Sequence, residues 1–306
     1  MKIVKNIAEY SDAMGLTMSL GMFDGVHKGH QEIIKKLKKS GEADHLECAL
    51  LTFWPHPRKV LQPETEIKLL NTLEEKLHLL ESFGIQKVFL QEFNDDFRNL
   101  SGEEFVKQIL LEKLHMKHII IGYDHHFGKN KSGNFQLLEE MAADNGFVVE
   151  ETQAVLVDEL AVSSTKIRNA LAEGNIQTAN QFLGYHYPVS GKVVQGKQIG
   201  RTIGYPTANI DVDPIKLLPK NGAYIVDVQL NGQYYKGMLS VGTNPTVNGT
   251  KKTTEVYILD FDQDIYGEHI TVYFRDYLHD EIKFESLEKL IERLDEDKQL
   301  TINFFK

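Results

Sequence analysis

Short apolar, β-branched runs alternate with helical patterns from residue 17 to about residue 175. Apolar runs predict strands at residues 17–20, 48–53, 87–90, 118–121 and 147–150. Between them, apolar residues recur at helical spacing, and the pairs Thr72/Glu75 and Ser101/Glu104 have the spacing of capping boxes. Strands that alternate with helices in this way predict an α/β domain with a doubly wound parallel sheet.

After about residue 185 the pattern changes to alternating polar and apolar residues. Asn231-Gly232, between the predicted strands 224–230 and 233–241, is typical of a type I′ hairpin turn. Two further alternating segments, residues 254–261 and 269–274, complete the pattern of a small antiparallel β-barrel. We therefore expect a first domain at residues 1–184 and a second domain at residues 185–306.

A last helical pattern follows the predicted barrel. Ser286 is placed to cap it, and its apolar positions share one face: Leu287, Leu290, Ile291 and Leu294.

Composition limits the possible partners and the compartment. A formal net charge of -10 argues against a nucleic-acid-binding protein, because such proteins depend on clustered Lys and Arg. The single cysteine, Cys48, lies in an apolar run and is expected in the core. The N-terminal residues lack the apolar core of a signal peptide and no apolar run is long enough to cross a membrane. We expect a cytoplasmic protein that binds neither nucleic acid nor membrane.

A glycine-rich turn with two histidines directly follows the first of these strands. It reads Gly-Met-Phe-Asp-Gly-Val-His-Lys-Gly-His over residues 21–30, and we call it the histidine turn. His27 and His30 stand where the turn becomes a helix N-terminus, a position that binds phosphate. Imidazole also donates to phosphoryl oxygens as charge develops on them. The histidine turn therefore predicts nucleotide chemistry, and the alternative is an ordinary turn with two surface histidines.

Two further loops follow predicted strands at the same edge of the sheet. The Trp-Pro-His-Pro segment at residues 54–57 is a loop fixed by its prolines, or only a rigid connection. Residues 122–128 add carboxylate, imidazole and aromatic groups. His125 and His126 are adjacent and point in different directions, which argues against a shared metal ion.

A hydroxyl-rich helix start at residues 163–168 reads Ser-Ser-Thr-Lys-Ile-Arg. Ser163 or Ser164 suits an N-cap, and backbone N–H groups, hydroxyls, Lys166 and Arg168 would converge on one anion. The alternative is an ordinary capped helix.

In the second domain, glycines and a proline surround a polar turn at residues 191–209. Thr207 and Asn209 offer neutral oxygens two residues apart, which suit a Mg²⁺ ion that keeps most of its water and bridges phosphates. Further along, Glu255 lies on a predicted strand. It is either a functional carboxylate or an ordinary carboxylate that faces solvent.

These segments, in this order, resemble the bacterial bifunctional riboflavin kinase/FAD synthetase family over nearly the whole chain. The histidine-x-glycine-histidine turn matches residues 27–30, the Ser-Ser-Thr-x-Ile-Arg helix start matches residues 163–168, and the kinase signature Pro-Thr-Ala-Asn matches residues 206–209. Residues 242–246 and 253–257 also match the kinase domain. The resemblance implies that riboflavin is phosphorylated to FMN and that FMN is adenylylated to FAD and pyrophosphate, both with ATP and Mg²⁺.

The resemblance also implies roles for particular residues. Those expected to act in catalysis are His27, His30, Arg168 and, as general base on the ribityl hydroxyl of riboflavin, Glu255. Nucleotide or phosphate contacts are expected from Gly21, Phe23, Asp24, Gly25, Gly29, Ser163, Ser164, Thr165, Gly196, Gly200 and Arg201. Flavin contacts are expected from Pro55, His56, Pro57, Asp124, His126 and Phe127. Thr207 and Asn209 are expected to bind the metal.

Four positions depart from the family pattern, which commonly has arginine there: His126, Lys131, Lys166 and His279. Neither lysine nor histidine reproduces the bidentate guanidinium fork, so we expect altered phosphate or flavin affinity. Three alternatives stay open: retention of only one activity, a flavin-binding regulator with the same fold, and a nucleotidyltransferase with another phosphorylated substrate. The oligomeric state is not specified by the sequence.

Overall fold

The structure is a computed structural model that describes residues 1–57, 60, 64, 67–196, 198–243 and 252–306. It divides into two compact units, Met1–Ser163 and Ser164–Lys306. Within the described ranges, no helix has both the length and the apolar character needed to cross a membrane.

The first unit contains a six-stranded parallel sheet with the order β1-β4-β3-β2-β5-β6. The strands are β1 (Lys2–Val4), β2 (Leu16–Leu20), β3 (Glu47–Phe53), β4 (Lys87–Gln91), β5 (Met116–Gly122) and β6 (Val148–Thr152). The doubly wound parallel sheet is therefore confirmed, and all five predicted strands are present with small differences at their ends. Strand β1 was missed because three residues are too short to show an alternating pattern. A small hairpin follows, β7 (Leu156–Val157) with β8 (Leu160–Ala161).

Helices cover both faces of this sheet. Strand residues accordingly fall in two core clusters, one on each face. Ile34 and Leu80 pack on one face with Leu50 and Val88, whereas helical residues such as Leu138 pack on the other. The helices are Lys28–Asp44, Leu73–Ser82, Asp95–Asn99, Gly102–Glu104 with its π-helical continuation Phe105–Lys113, and Phe135–Asn145, with 3-10 turns at Ile7–Glu9 and Lys129–Lys131. Both predicted capping boxes are present.

The strand order determines where a ligand is expected. From β2 the chain proceeds to β3 and β4 on one side, then crosses to β5 and β6 on the other. The direction of winding therefore changes between β2 and β5, and open α/β sheets bind ligands outside the carboxyl ends of the strands at that point. The histidine turn follows β2 and residues 122–128 follow β5.

The second unit is built on a closed barrel with the order β10-β13-β12-β11-β14-β9. Its strands are β9 (Pro188–Val194), β10 (Ala208–Val212), β11 (Gly222–Leu230), β12 (Gln233–Thr243), β13 (Lys252–Ile258) and β14 (His269–Asp280), with the short helix Ile199–Thr202 between β9 and β10. The predicted barrel is confirmed, although β13 ends three residues before the predicted end and β14 continues beyond Phe274. The φ angles of Asn231 (50°) and Gly232 (78°) are both positive, as a type I′ turn requires.

Two helices before the barrel, Ser164–Glu173 and Ile176–Leu183, belong to the second compact unit. The amide of Asn180 donates to the carbonyl of Phe274 in β14 at 2.9 Å, and its oxygen accepts from the N–H of Tyr187 at 2.8 Å. The division at residues 163/164 therefore precedes the boundary at 184/185 that the sequence predicted. The strand pattern begins after residue 185, whereas the packing against the barrel begins earlier.

The C-terminal helix Leu287–Phe304 is capped by Ser286, whose hydroxyl accepts from the N–H of Lys289. Its predicted apolar face is only partly buried, and Leu287 is 49% exposed. The buried positions of the helix are instead Asp297 and Thr301. Asp297 contacts His279 Nε2 of β14 at 2.9 Å, so polar contacts hold much of this helix.

We predict that Gly232→Val destabilises the second unit by about 1–2 kcal/mol, because a β-branched residue is strained in the left-handed region. An added Cβ at this position meets no atom within 4 Å, so strain is the only expected cause. Asn231→Gly is the control and should leave stability nearly unchanged. Thermal unfolding followed by circular dichroism measures both, and a Gly232→Val midpoint equal to that of the wild type would contradict the turn assignment.

Candidate active sites

The histidine turn leads into the helix Lys28–Asp44, and His27 is its N-cap. His27 Nδ1 accepts a hydrogen bond from the backbone N–H of His30 at 3.4 Å. The two rings stack with centroids 3.7 Å apart. Because Nδ1 is the acceptor, the tautomer assigned to neutral His27 carries its proton on Nε2. The predicted helix N-terminus is confirmed, and it presents an imidazole donor.

The backbone of the turn is tightly wound. Phe23, Gly25 and Val26 have φ angles of 49°, 85° and 35°. A left-handed conformation costs a non-glycine residue about 1–2 kcal/mol, and both Phe23 and Val26 are buried in the apolar core, which offsets this cost. Gly29 has a different role, because a Cβ there would lie 3.2 Å from two atoms of the His27 ring.

Asp24 anchors the turn to the chain segment before the helix Leu73–Ser82. Its buried carboxylate accepts from the backbone N–H groups of Leu70 at 3.0 Å and Asn71 at 3.4 Å. Hydrogen bonds to a carboxylate are stronger than those between neutral groups. The structure thus gives Asp24 a positioning role, and its predicted contact with nucleotide stays a prediction.

Lys76 joins the same site, and the sequence analysis missed it. Its Nζ donates to the carbonyl of Met22 at 3.3 Å and to Thr52 Oγ1 at 3.2 Å, and it lies 5.4 Å from the ring centroid of Trp54. The side chain is buried, and this burial lowers the pKa of Lys76 to about 8, although Asp24 opposes the shift. In the pattern of its helix, Lys76 has no feature that separates it from a solvent-exposed lysine.

Two imidazoles of this site are enclosed. Burial is the largest cause that lowers the pKa of His30 well below its usual value, and the neighbouring His27, Lys76 and His125 lower it further. Burial also lowers the pKa of His125 to about 4, against the opposing charge of Asp124. Within the described part of the chain, His30 Nδ1 and His125 Nε2 are buried without a hydrogen-bond partner. Both rings are therefore neutral at physiological pH.

His125, rather than His126, is the enclosed member of the histidine pair after β5. His126 is exposed, and its Nδ1 lies 3.0 Å from the carbonyl of Asp124, which is also exposed. Phe127 is buried in the core and packs on Phe105 with centroids 5.5 Å apart. The flavin contacts predicted for this loop stay predictions, and no pattern in the sequence separated the two histidines.

The other predicted contacts of the first domain fall in two places. Directly after β3, Pro55 is exposed, whereas His56 and Pro57 are partly buried. The helix Ser164–Glu173 begins within the Ser-Ser-Thr segment as predicted, with Arg168 on its second turn. This helix belongs to the second compact unit, so its convergence with the histidine turn stays a prediction.

The predicted groups of the kinase site meet across neighbouring strands of the barrel. Thr207 Oγ1 donates to Glu255 Oε2 at 3.2 Å, and Asn209 of β10 faces Glu255 of β13 in the strand register. Glycines bring the adjoining loop close: a Cβ on Gly196 would lie 2.2 Å from the Asn209 amide, and one on Gly200 would lie 2.1 Å from the carbonyl of Tyr205.

A cavity of about 440 Å³ lies beside this group. It is lined by charged, polar and aromatic side chains that include Arg201, Thr207, Asp262, Phe261 and Tyr266. This volume is in the range of small-molecule sites. Residues 244–246 of the matched kinase segment lie outside the described residues.

Thr207 and Asn209 form a pair of oxygen donors that fits Mg²⁺, beside the carboxylate of Glu255. The described residues contain no group of three or more His, Cys, Asp and Glu side chains that would enclose a metal ion. Mg²⁺ commonly takes few protein ligands and keeps water and phosphate oxygens as the others. The donor set therefore suits a Mg²⁺ ion that arrives with a nucleotide.

A histidine-capped helix at the switch point of a parallel sheet, together with a cavity beside paired oxygen donors on a barrel, defines a two-domain enzyme of nucleotide chemistry. The family model for FAD synthetase matches residues 10–166, and that for riboflavin kinase matches residues 183–305. The chain belongs to the family of bifunctional riboflavin kinases/FMN adenylyltransferases, which confirms the resemblance seen in its motifs.

Relatives in this family match along nearly the whole chain. The bifunctional riboflavin kinase/FMN adenylyltransferase of Listeria monocytogenes is 40% identical over 299 residues, 97% of this chain and 94% of that protein. The protein of the same name from Escherichia coli is 34% identical over 308 residues, 100% of this chain and 98% of that protein. A crystal structure described as a macrolide-efflux protein from Streptococcus pneumoniae covers 98% of both chains, with a TM-score of 0.90 and 34% identity.

We predict that His125 makes the first unit sensitive to acid. Its pKa is about 4 in the folded state and near 6.5 when unfolded, so the unfolded state binds more protons between these values. Stability should therefore fall as the pH drops from 6.5 towards 4. When the pH is lowered from 7 to 4.5, the free energy of unfolding should fall by about 2–3 kcal/mol less in His125→Gln than in the wild type.

The adjacent His126→Gln is the matched control, because this residue is exposed. It should follow the wild-type pH dependence. Urea unfolding monitored by Trp54, the single tryptophan of the chain, reports on the first unit. Equal pH dependence in all three proteins would show that His125 is not buried as a neutral ring.

Proposed function

We propose that this chain phosphorylates riboflavin to FMN at the barrel and adenylylates FMN to FAD at the parallel sheet, in both cases with ATP. One observation carries the proposal: the groups required for the phosphoryl transfer, Thr207, Asn209 and Glu255, meet across two neighbouring barrel strands, and Thr207 also lines a cavity of about 440 Å³. The histidine turn, at the ligand-binding edge of the other unit, supplies the second phosphate site.

At the barrel, Glu255 is the general base. It takes the proton of the ribityl 5′-hydroxyl while that oxygen attacks the γ-phosphorus of ATP, and ADP leaves as the bond to the bridging oxygen breaks. The hydrogen bond from Thr207 orients the carboxylate. Thr207 and Asn209 hold Mg²⁺, which neutralises charge on the phosphates when bound, while Gly196, Gly200 and Arg201 contact the nucleotide.

At the sheet, a phosphate oxygen of FMN attacks the α-phosphorus of ATP and pyrophosphate leaves. The nucleophile is already an anion, so no base is needed. His27 donates through Nε2 and His30 lies against its ring, and neutral imidazoles donate to phosphoryl oxygens without giving up a proton. We also assign Arg168, Ser163, Ser164 and Thr165 as donors to phosphate.

The remaining contacts complete this assignment. Gly21, Phe23, Asp24, Gly25 and Gly29 shape the nucleotide side of the sheet site. The flavin side consists of Pro55, His56, Pro57, Asp124, His126 and Phe127. We assign residues 1–184 to the adenylyltransferase and residues 185–306 to the kinase, and place both reactions in the cytoplasm without nucleic acid as a partner.

Two substitutions should separate the activities. Glu255→Gln should lower FMN formation by about 10²–10⁴-fold, because a general base is lost, and it should leave the conversion of FMN to FAD intact. His30→Ala should lower FAD formation by about 10²–10³-fold, because a donor to the developing charge is lost, and it should spare FMN formation. Each variant is the control for the other. Chromatography measures FMN formation from riboflavin and, in a separate incubation, FAD formation from FMN, each with ATP and Mg²⁺. A variant that loses both the first reaction from riboflavin and the second from FMN would contradict the assignment.

The metal assignment is tested by Thr207→Val. This variant keeps the shape of the side chain and removes its hydroxyl, so half-maximal FMN formation should need on the order of 10-fold more Mg²⁺. Thr207→Ser keeps the hydroxyl and should need nearly the wild-type concentration. A Mg²⁺ titration of the kinase rate decides the point, and an unchanged requirement in Thr207→Val would remove Thr207 from the metal site.

A further inference from the structure

Two lysines of the first unit are buried, and their surroundings are opposite. Lys87 begins β4 at the amino edge of the sheet, where it binds Glu47 and Asp12, the latter at 3.3 Å. Burial opposes the shift, but the hydrogen bonds to Glu47 and Tyr10 raise the pKa of Lys87. Lys76 lies at the carboxyl edge, and its amine donates to a carbonyl and a hydroxyl, both neutral. Among the residues that the structure describes, Lys87 has the partners of a structural ion pair, whereas Lys76 does not.

The contacts of Lys76 join the elements that form the carboxyl edge. The amine extends from the helix Leu73–Ser82 to the backbone of the histidine turn at Met22 and to Thr52, the next-to-last residue of β3. It also lies near the ring of Trp54, the residue before the proline loop. One side chain therefore ties the predicted nucleotide loop to the predicted flavin loop.

Lys76 also acts on His30 through its charge. The groups that influence His30 are His27 from the same turn, His125 from the loop after β5 and Lys76 from the helix, while Asp24 influences Lys76. A positive charge close to His30 disfavours its imidazolium form. A neutral ring donates a hydrogen bond to phosphate without transferring a proton.

We propose that Lys76 is a positioning residue of the adenylyltransferase site, which holds the histidine turn against the end of β3 and maintains a positive charge beside His30. This inference rests on the proposed adenylylation of FMN. A buried amine without a carboxylate partner lowers stability, and such groups persist where they serve a site. Because burial brings the pKa of Lys76 to about 8, its charge is lost as the pH rises through 8.

The test compares wild type, Lys76→Met and Lys76→Arg in the full chain, with kcat and KM for FAD formation from FMN measured between pH 5 and 9.5. Wild-type FAD formation should show a decline centred near pH 8 that is absent from FMN formation. Lys76→Met should lower kcat about 10- to 100-fold at pH 7, because the turn is misplaced, and should have no such decline. Its acid limb should move to higher pH by roughly half a unit or more, since a charge near His30 is gone.

Lys76→Arg keeps a charge that does not titrate in this range. It should recover part of kcat and also lack the decline near pH 8. The rate of FMN formation in the same protein samples is the internal control and should be unchanged in both variants.

Lys87→Met is the matched control for the loss of a buried lysine. It leaves Glu47 and Asp12 without their amine, so it should lower the unfolding midpoint measured by Trp54 fluorescence while the pH profile of FAD formation keeps its shape. Lys76→Met removes a buried charge and should leave the midpoint unchanged or raise it.

The outcomes distinguish failure of the proposed adenylylation of FMN from failure of the role assigned to Lys76. Wild-type protein that forms no FAD from FMN overturns the proposed function and this inference with it. Wild-type protein that forms FAD, with a Lys76→Met variant that keeps its rate and pH profile, overturns the inference alone. The same holds if Lys76→Met lowers the midpoint as Lys87→Met does and leaves the pH profile unmoved, since Lys76 is then only structural.

Discussion

The geometry of the sheet site depends on two buried charges that hold the backbone of one turn from outside it. Asp24 accepts hydrogen bonds from backbone N–H groups of the segment before the helix Leu73–Ser82, and Lys76 of that helix donates to the carbonyl of Met22. Between these attachments the chain adopts the left-handed conformations of Phe23 and Val26 that lead into the histidine-capped helix. A helix without predicted chemistry thus determines where the imidazoles stand, and the turn and residues 70–76 behave as one structural element.

The sequence predicted the features that local pattern specifies. Strand and helix periodicity gave the parallel sheet, and the rule that parallel strands end at one edge placed the histidine turn beside the loops after β3 and β5. Lys76 and His125 were missed because their importance comes from tertiary contacts. A lysine in an amphipathic helix has the same pattern whether solvated or buried, and two adjacent histidines in a loop carry no signal for which one turns inward.

The barrel site depends on register instead. Asn209 and Glu255 are 46 residues apart in the numbering of the chain yet face each other because β10 pairs antiparallel with β13. A shift of one residue in that pairing would turn Glu255 to the other side of the sheet. The motif was recognisable through its resemblance to the kinase signature, whereas its assembly required the closed barrel. The compact unit that holds the barrel also includes the helices at 164–183, and their contacts with β14 are not visible in a strand pattern.

The C-terminal helix has a different kind of attachment from the rest of the second unit. Its buried Asp297 binds His279, Asp295 accepts from Tyr205, and Lys298 lies near Tyr257. If the helix left the barrel, water would solvate these charged and phenolic groups, so they share the attachment with an apolar face that is only partly buried. Dissolved ions screen the exposed members of these contacts but act far less on the buried Asp297 and leave the apolar interior of the barrel almost unaffected. Ionic strength therefore acts on this helix more than on the strands beneath it.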